Sequence, residues 1–139
     1  MPPIEIKKGP IVICPPNKTA KNLFKHLGEV IEIRSEKLSN KFWSTASIMA
    51  AYYEILNTST NWLIRKGINK NLAQNYIAEL FLSLSQDAVN KRSQGFKKLV
   101  AESQTPKGLN MQVLNELKRG KFFSKFAKAL ENVNKRVSK

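Results

Sequence analysis

The sequence predicts a mainly α-helical chain with a small β-α-β unit at its N-terminus. Three observations predict this. Residues 1 to about 35 carry β-branched runs set between Gly and Pro breakers. Residues from about 36 to 137 carry long stretches of helix-compatible apolar spacing. The strongest turn signal, Thr105-Pro106-Lys107-Gly108, falls between two of those stretches. With 139 residues, 42% of them hydrophobic and 24% charged, the chain suits one domain's worth of ordinary globular sequence and needs neither disulfides nor metals to fold.

In order along the chain, Ile11-Val12-Ile13-Cys14 is a short β-branched run between Gly9-Pro10 and Pro15-Pro16-Asn17, and reads as a buried strand. Thr19 to Leu27 places apolar residues at 20, 23, 24 and 27, one face of a helix, and Gly28 stands where a helix C-terminal cap belongs. Glu29-Val30-Ile31-Glu32-Ile33-Arg34 is a second strand. So small a strand-helix-strand unit leaves open edges and reads as the last edge of a larger α/β sheet cut off upstream.

From Leu38 to Lys66 there is no Gly or Pro, and no charge from Trp43 to Tyr53 apart from the chain's flanks, which predicts one helix buried on most sides. Gly67 stops it, and Asn69 is the expected N-cap of a helix reaching about Arg92 that is apolar on more than one face. After Gly95 a short helix is expected over Phe96 to about Glu102. The Thr105–Gly108 turn follows, then a helix over Leu109 to Lys118. Beyond Gly120 comes a last helix carrying Phe122, Phe123, Phe126, Ala129, Leu130 and Val133, with a polar tail from Asn134.

The net charge of +14 raises the question of a polyanion partner. Nineteen of the 24 basic residues are Lys and five are Arg, alongside 13 Asn and 11 Ile, the bias of an AT-rich genome. Arg does most of the specific reading of bases. The Lys residues therefore read as solvated helix faces, and nucleic acid is not the expected partner.

Chemistry-bearing residues are sparse. There is no G-x-G-x-x-G. With a single cysteine (Cys14), a single histidine (His26) and a single aspartate (Asp87), the chain builds no internal disulfide, no zinc site and no Asp-based triad. Cys14 reads as a buried structural thiol, His26 as exposed, and Glu54, Glu79 and Glu102 as isolated charges. No window approaches the ~20 apolar residues of a membrane span. The N-terminus lacks the pattern of a signal peptide, so a cytoplasmic location is expected.

The segment Thr105-Pro106-Lys107-Gly108-Leu109-Asn110-Met111-Gln112-Val113-Leu114, with Leu117, Gly120, Phe122, Ala129-Leu130 and Arg136 after it, resembles the C-terminal signature of pyrroline-5-carboxylate reductases. In that family a Ser-Pro-Gly-Gly-Thr-Thr turn opens a helix. Pro15-Pro16-Asn17, the helix to Gly28 and Glu29–Ile33 resemble the last strand-helix-strand of the family's nucleotide-binding domain. Met1-Pro2 resembles the Met-Pro of the strand before it, and Ser44 to Tyr53 falls where a Ser-Gly-Ser-Gly-Pro-Ala-Tyr helix start stands.

The resemblance implies a remnant of a Rossmann domain over residues 1–35 and, over 36–139, a helical dimerisation bundle of the 6-phosphogluconate-dehydrogenase-like type. It implies hydride transfer from NADPH or NADH to a cyclic imine, giving proline, in a homodimer that can assemble further. Substrate-binding positions carried over are Thr105, Lys107, Gly108, Leu109 and Asn110, with Ser47 and Tyr52; Met1 and Pro2 are carried over toward the cofactor. Lys107, Leu109 and Asn110 depart from the family turn. Ala46 to Ala51 lacks the glycines and proline of the other motif, which leaves open a relative acting on another imine. The glycine-rich fingerprint is expected upstream of Met1, so the chain by itself is expected to be inactive. Two other readings stand beside this one: a basic helical module for nucleic acid or another polyanion, and a non-catalytic dimerisation scaffold.

Overall fold

The structure is a computed structural model that describes residues 5–138. The positions Met1 and Pro2, expected near the cofactor, lie outside the described residues. The chain is mainly helical with one small parallel sheet, as expected. It falls into two compact units, one running to Ile48 and rejoined from Ala127 onward, the other Met49–Phe126.

In the first unit, β1 (Pro10–Ile13) and β2 (Glu29–Glu32) pair in parallel, Ile11 opposite Val30 and Val12 opposite Ile31. Parallel strands need a crossover, and α1 (Lys18–Phe24) supplies it. Asn17 caps α1 by accepting the Ala20 N–H at 2.8 Å. A bridge from Lys21 Nζ to Glu32 Oε2 at 2.5 Å ties the helix to β2. Among the described residues the sheet has two strands, so each keeps an open edge.

The expected role of Gly28 is corrected. The helix closes at Phe24 with Lys25 as its cap, before Gly28. Gly28 instead stands just before β2, where its Cα passes close to the backbone of Gly9. A Cβ there would sit 2.3 Å from the Gly9 carbonyl oxygen, the oxygen that accepts the Glu29 N–H at 3.1 Å. Gly28→Ala is expected to cost about 3 kcal/mol, because backbone rather than a movable side chain fills the space. Urea unfolding checks it; an unchanged midpoint would mean that the strand start moves aside freely.

The single helix expected over Leu38 to Lys66 is two. A 3₁₀ turn at Glu36–Leu38 leads into α2 (Ser39–Ala46), and α3 (Met49–Arg65) follows a break at Ser47-Ile48. A cluster of hydroxyl–carbonyl bonds accompanies the break. Ser44, Thr45 and Ser47 donate their hydroxyls to the carbonyls of Asn40, Lys41 and Ser44 at 2.6, 3.0 and 2.6 Å. Such back-bonding competes with the helical ladder.

In the second unit, α3 packs along α4 (Lys70–Asn90). Asn69 caps α4 as expected, accepting from Asn71 N at 2.9 Å and Leu72 N at 3.4 Å. At the far end of α4, a hydrogen bond and the charge of Asp87 hold Lys91 above the usual lysine range. Gly95, at φ 82°, turns the chain into α5 (Phe96–Glu102). α6 (Leu109–Arg119) and α7 (Phe122–Val137) follow, joined at Gly120-Lys121.

Helix α4 is apolar on two faces, as expected, but one copy of the chain covers only one. Ala73 and Ile77 are buried and Phe81 half-buried, on one face. Leu72 and Tyr76, one turn apart on another face, are 62% and 59% exposed. The expectation of helices buried on most sides is thus not met within one copy. Among the described residues only Ile33, Ala73, Ile77 and Ser44 are buried. The accessible surface is 11411 Å² for 15.8 kDa, whereas two separate compact domains sharing that mass would expose about 8,800 Å² together.

Candidate functional site

Thr105, Pro106, Lys107 and Gly108 form one turn, with the Thr105 carbonyl accepting the Gly108 N–H at 2.8 Å. Pro106 presets the second position. Lys107 occupies the third at φ 62°, where a type II turn ordinarily takes glycine. The turn delivers the chain to Gly108, the N-cap of α6, whose φ of −75° and ψ of 160° any residue can adopt. Glycine is needed there for space. A Cβ on Gly108 would lie 2.1 Å from Thr105 Oγ1 and 2.9 Å from the Thr105 carbonyl oxygen.

The first bond of α6 runs from Gln112 N to Gly108 O at 3.1 Å, and no side chain caps the helix. The amides of Leu109, Asn110 and Met111 therefore precede the ladder as donors, at the partly positive end of an eleven-residue helix. That arrangement suits a carboxylate or another small anion. Asn110 has a second task. Its Nδ2 donates to the Ser103 carbonyl at 3.0 Å, clamping α6 to the end of α5 and leaving Oδ1 as the side-chain acceptor. Leu109 is 80% exposed and offers its backbone alone to such a site.

Thr105, Lys107, Gly108, Leu109 and Asn110 are thus brought together as one local structure. The other two carried-over residues are placed on different elements. Tyr52, on α3, packs edge-on against Phe81 of α4 at 6.1 Å between centroids. Ser47 belongs to the first unit, where its hydroxyl serves the α2 break.

A feature the sequence reading assigned to nothing is an open cleft of about 550 Å³ beside β1, lined by Val12, Cys14, Ser39, Asn40 and Trp43 among others. Cys14 is half-buried there, less covered than expected. Nothing in its local sequence marks the cleft, because its two walls lie more than twenty residues apart in the chain. His26 is exposed, as expected. Among the described residues no group of His, Cys, Asp or Glu is arranged to hold a metal ion, and no helix is long and apolar enough to cross a membrane.

Residues 36–139 match the family profile described as pyrroline-5-carboxylate reductase dimerisation. No curated protein matches the sequence. Among solved structures, the chain is similar to a pyrroline-5-carboxylate reductase from Coxiella burnetii, with a TM-score of 0.82 and 22% identity over 96% of this chain and 52% of that one. It is similar to the pyrroline carboxylate reductase of Plasmodium falciparum, solved with NADP bound, with a TM-score of 0.79 and 20% identity over 98% of this chain and 54% of that one. It is also similar to 1-pyrroline-5-carboxylate reductase from Streptococcus pyogenes, with a TM-score of 0.80 and 18% identity over 98% of this chain and 55% of that one. The chain spans about half the length of each of these structures.

Proposed function

The chain belongs to the pyrroline-5-carboxylate reductase family, on the match of residues 36–139 to its dimerisation domain, and from that premise we propose that it is the dimer-forming, substrate-side part of an NAD(P)H-dependent imine reductase. The substrate is a cyclic imine bearing a carboxylate, such as 1-pyrroline-5-carboxylate, and the product is proline. The match begins at residue 36, in keeping with a boundary between an α/β edge over 1–35 and a helical domain over 36–139. We place the protein in the cytoplasm as part of this reading.

The observation that carries it is the uncapped N-terminus of α6 behind the Thr105–Gly108 turn. The N–H groups of Leu109, Asn110 and Met111 hold the substrate carboxylate, and Thr105 Oγ1 adds a hydroxyl. The Lys107 ammonium, on the same turn, adds positive charge. Tyr52 and Ser47 are carried over as further substrate-binding positions on the family resemblance alone. Fixing the carboxylate fixes the ring, and with it the imine carbon that must accept hydride.

A second copy of the chain covers the exposed apolar faces of α3 and α4. The match to a dimerisation domain and the exposed Trp62, Leu72 and Tyr76 on these helices support it.

The residues here do not themselves fit a dinucleotide. The step from β1 into α1 is Pro15-Pro16-Asn17 rather than a glycine-rich turn, and no G-x-G-x-x-G occurs. NADP or NAD is assigned to a nucleotide-binding domain outside these residues, consistent with the NADP in the P. falciparum structure.

The test is calorimetric titration of the purified chain with proline and, separately, with pyrrolidine, the same ring without the carboxylate. Proline is expected to bind weakly and pyrrolidine not at all. Binding of neither, or of both alike, would remove the carboxylate grip. The chain alone is expected to leave NADPH unoxidised in the presence of the imine, and to gain activity when a nucleotide-binding domain of the family is supplied.

A further inference from the structure

The positive charge is unevenly distributed along the chain. Residues 118–139 contain eight basic residues (Lys118, Arg119, Lys121, Lys125, Lys128, Lys135, Arg136 and Lys139) and one acid, Glu131. Their net +7 is half of the chain's +14, concentrated in 22 of 139 residues. A codon bias toward Lys raises Lys everywhere and does not produce that concentration.

Helix α7 sorts these charges to one side. Phe126, Leu130, Val133 and Asn134 are half-buried and share one face. At about 3.6 residues per turn, Lys125, Lys128 and Lys135 fall on the opposite face, with Arg136 beside them. All four are exposed. Among the described residues none of the four is paired with a carboxylate, whereas Arg119 reaches Glu116 at 3.9 Å. Aligned cations left without partners repel one another, a cost that a polyanion removes.

We propose that this stripe binds nucleic acid along its phosphate backbone, without base specificity. The form of the stripe selects the partner. It is a band of cations along one side of a helix, about 16 Å from Lys125 to Arg136 at ~1.5 Å per residue, which suits an extended array of phosphates. A membrane surface would be met by the apolar face of α7, and that face is already half-covered by the protein's own packing. Three of the four residues are Lys, which contact phosphate as point charges and read bases poorly.

The experiment uses the full chain, with binding of a labelled duplex of about 20 base pairs followed by fluorescence anisotropy at roughly 50 to 200 mM salt. Affinity is expected to fall with salt at a log–log slope of about −3.6, for four phosphate contacts, and to be alike for unrelated sequences. The quadruple variant Lys125→Gln, Lys128→Gln, Lys135→Gln, Arg136→Gln is expected to weaken binding at least about a hundredfold at the low-salt end. A control that removes the same charge elsewhere, Lys8→Gln, Lys18→Gln, Lys25→Gln, Lys70→Gln, is expected to stay within about threefold. Circular dichroism confirms that both variants are folded. Equal losses in the two variants would reduce the effect to net charge and overturn the proposal. So would absence of binding at low salt, or capture by vesicles of anionic lipid in place of the duplex.

Discussion

The double variant Leu72→Asp, Tyr76→Asp is expected to be a monomer, and the parent chain a dimer. Both residues are about 60% exposed on α4 in a single copy. If that copy were the functional unit, polar replacements at such positions would change stability by about 0.5 kcal/mol or less. If a second copy covers them, each carboxylate is carried into an apolar interface without a partner, at a cost of several kcal/mol per site. Two such costs, in each of two subunits, exceed the roughly 12 kcal/mol of a nanomolar dimer. Light scattering at micromolar concentration reads the outcome directly, and the parent dimer is expected to persist at high salt because apolar burial, not charge, holds it. A double variant that keeps the parent's mass and melting temperature would refute the second copy as the cover of α4.

Gly108→Ala is expected to abolish carboxylate binding and to lower stability by about 1–3 kcal/mol. The backbone angles at Gly108 suit alanine, so the effect is one of space alone. The added methyl meets the Thr105 hydroxyl, which can rotate away, and the Thr105 carbonyl oxygen at 2.9 Å, which cannot. That carbonyl closes the turn by accepting the Gly108 N–H. Opening the turn is expected to swing the amides of Leu109, Asn110 and Met111 away from the proposed carboxylate. In the chain assembled with a nucleotide-binding domain, a displacement of this kind is worth about a hundredfold in kcat/KM. Proline titration and the melting temperature are measured together. Loss of binding at an unchanged melting temperature still supports the site, while retained binding removes it.

The expected and observed elements part company where local and tertiary causes differ. Asn69 before α4 and Gly120 after α6 are legible because caps and breakers act within a few residues. The break between α2 and α3 coincides with the local cluster Ser44-Thr45-Ala46-Ser47, and went unread because the absence of Gly and Pro from Leu38 to Lys66 suggested one helix. Gly28 misled for the opposite reason. Its position after a helix suggested a cap, but its neighbour is Gly9, nineteen positions away in the chain, which no short-range pattern reports.

The Thr105–Gly108 turn was recognisable from Pro106 and Gly108 alone. Its chemistry was not, since that depends on an uncapped α6 and on Asn110 reaching back to Ser103.

By itself, the sequence determined the mainly helical class, the β-α-β start, most helix boundaries and the turn that carries the candidate site. These follow from side-chain periodicity and from backbone preferences, which are properties of neighbouring residues. Only the tertiary structure decided which apolar faces stay uncovered in one copy, why Gly28 must lack a side chain where it meets the Gly9 backbone, and how the lysines of α7 lie opposite its packed face. Those depend on what else occupies the surrounding space, and distance through space is not written in order along the chain.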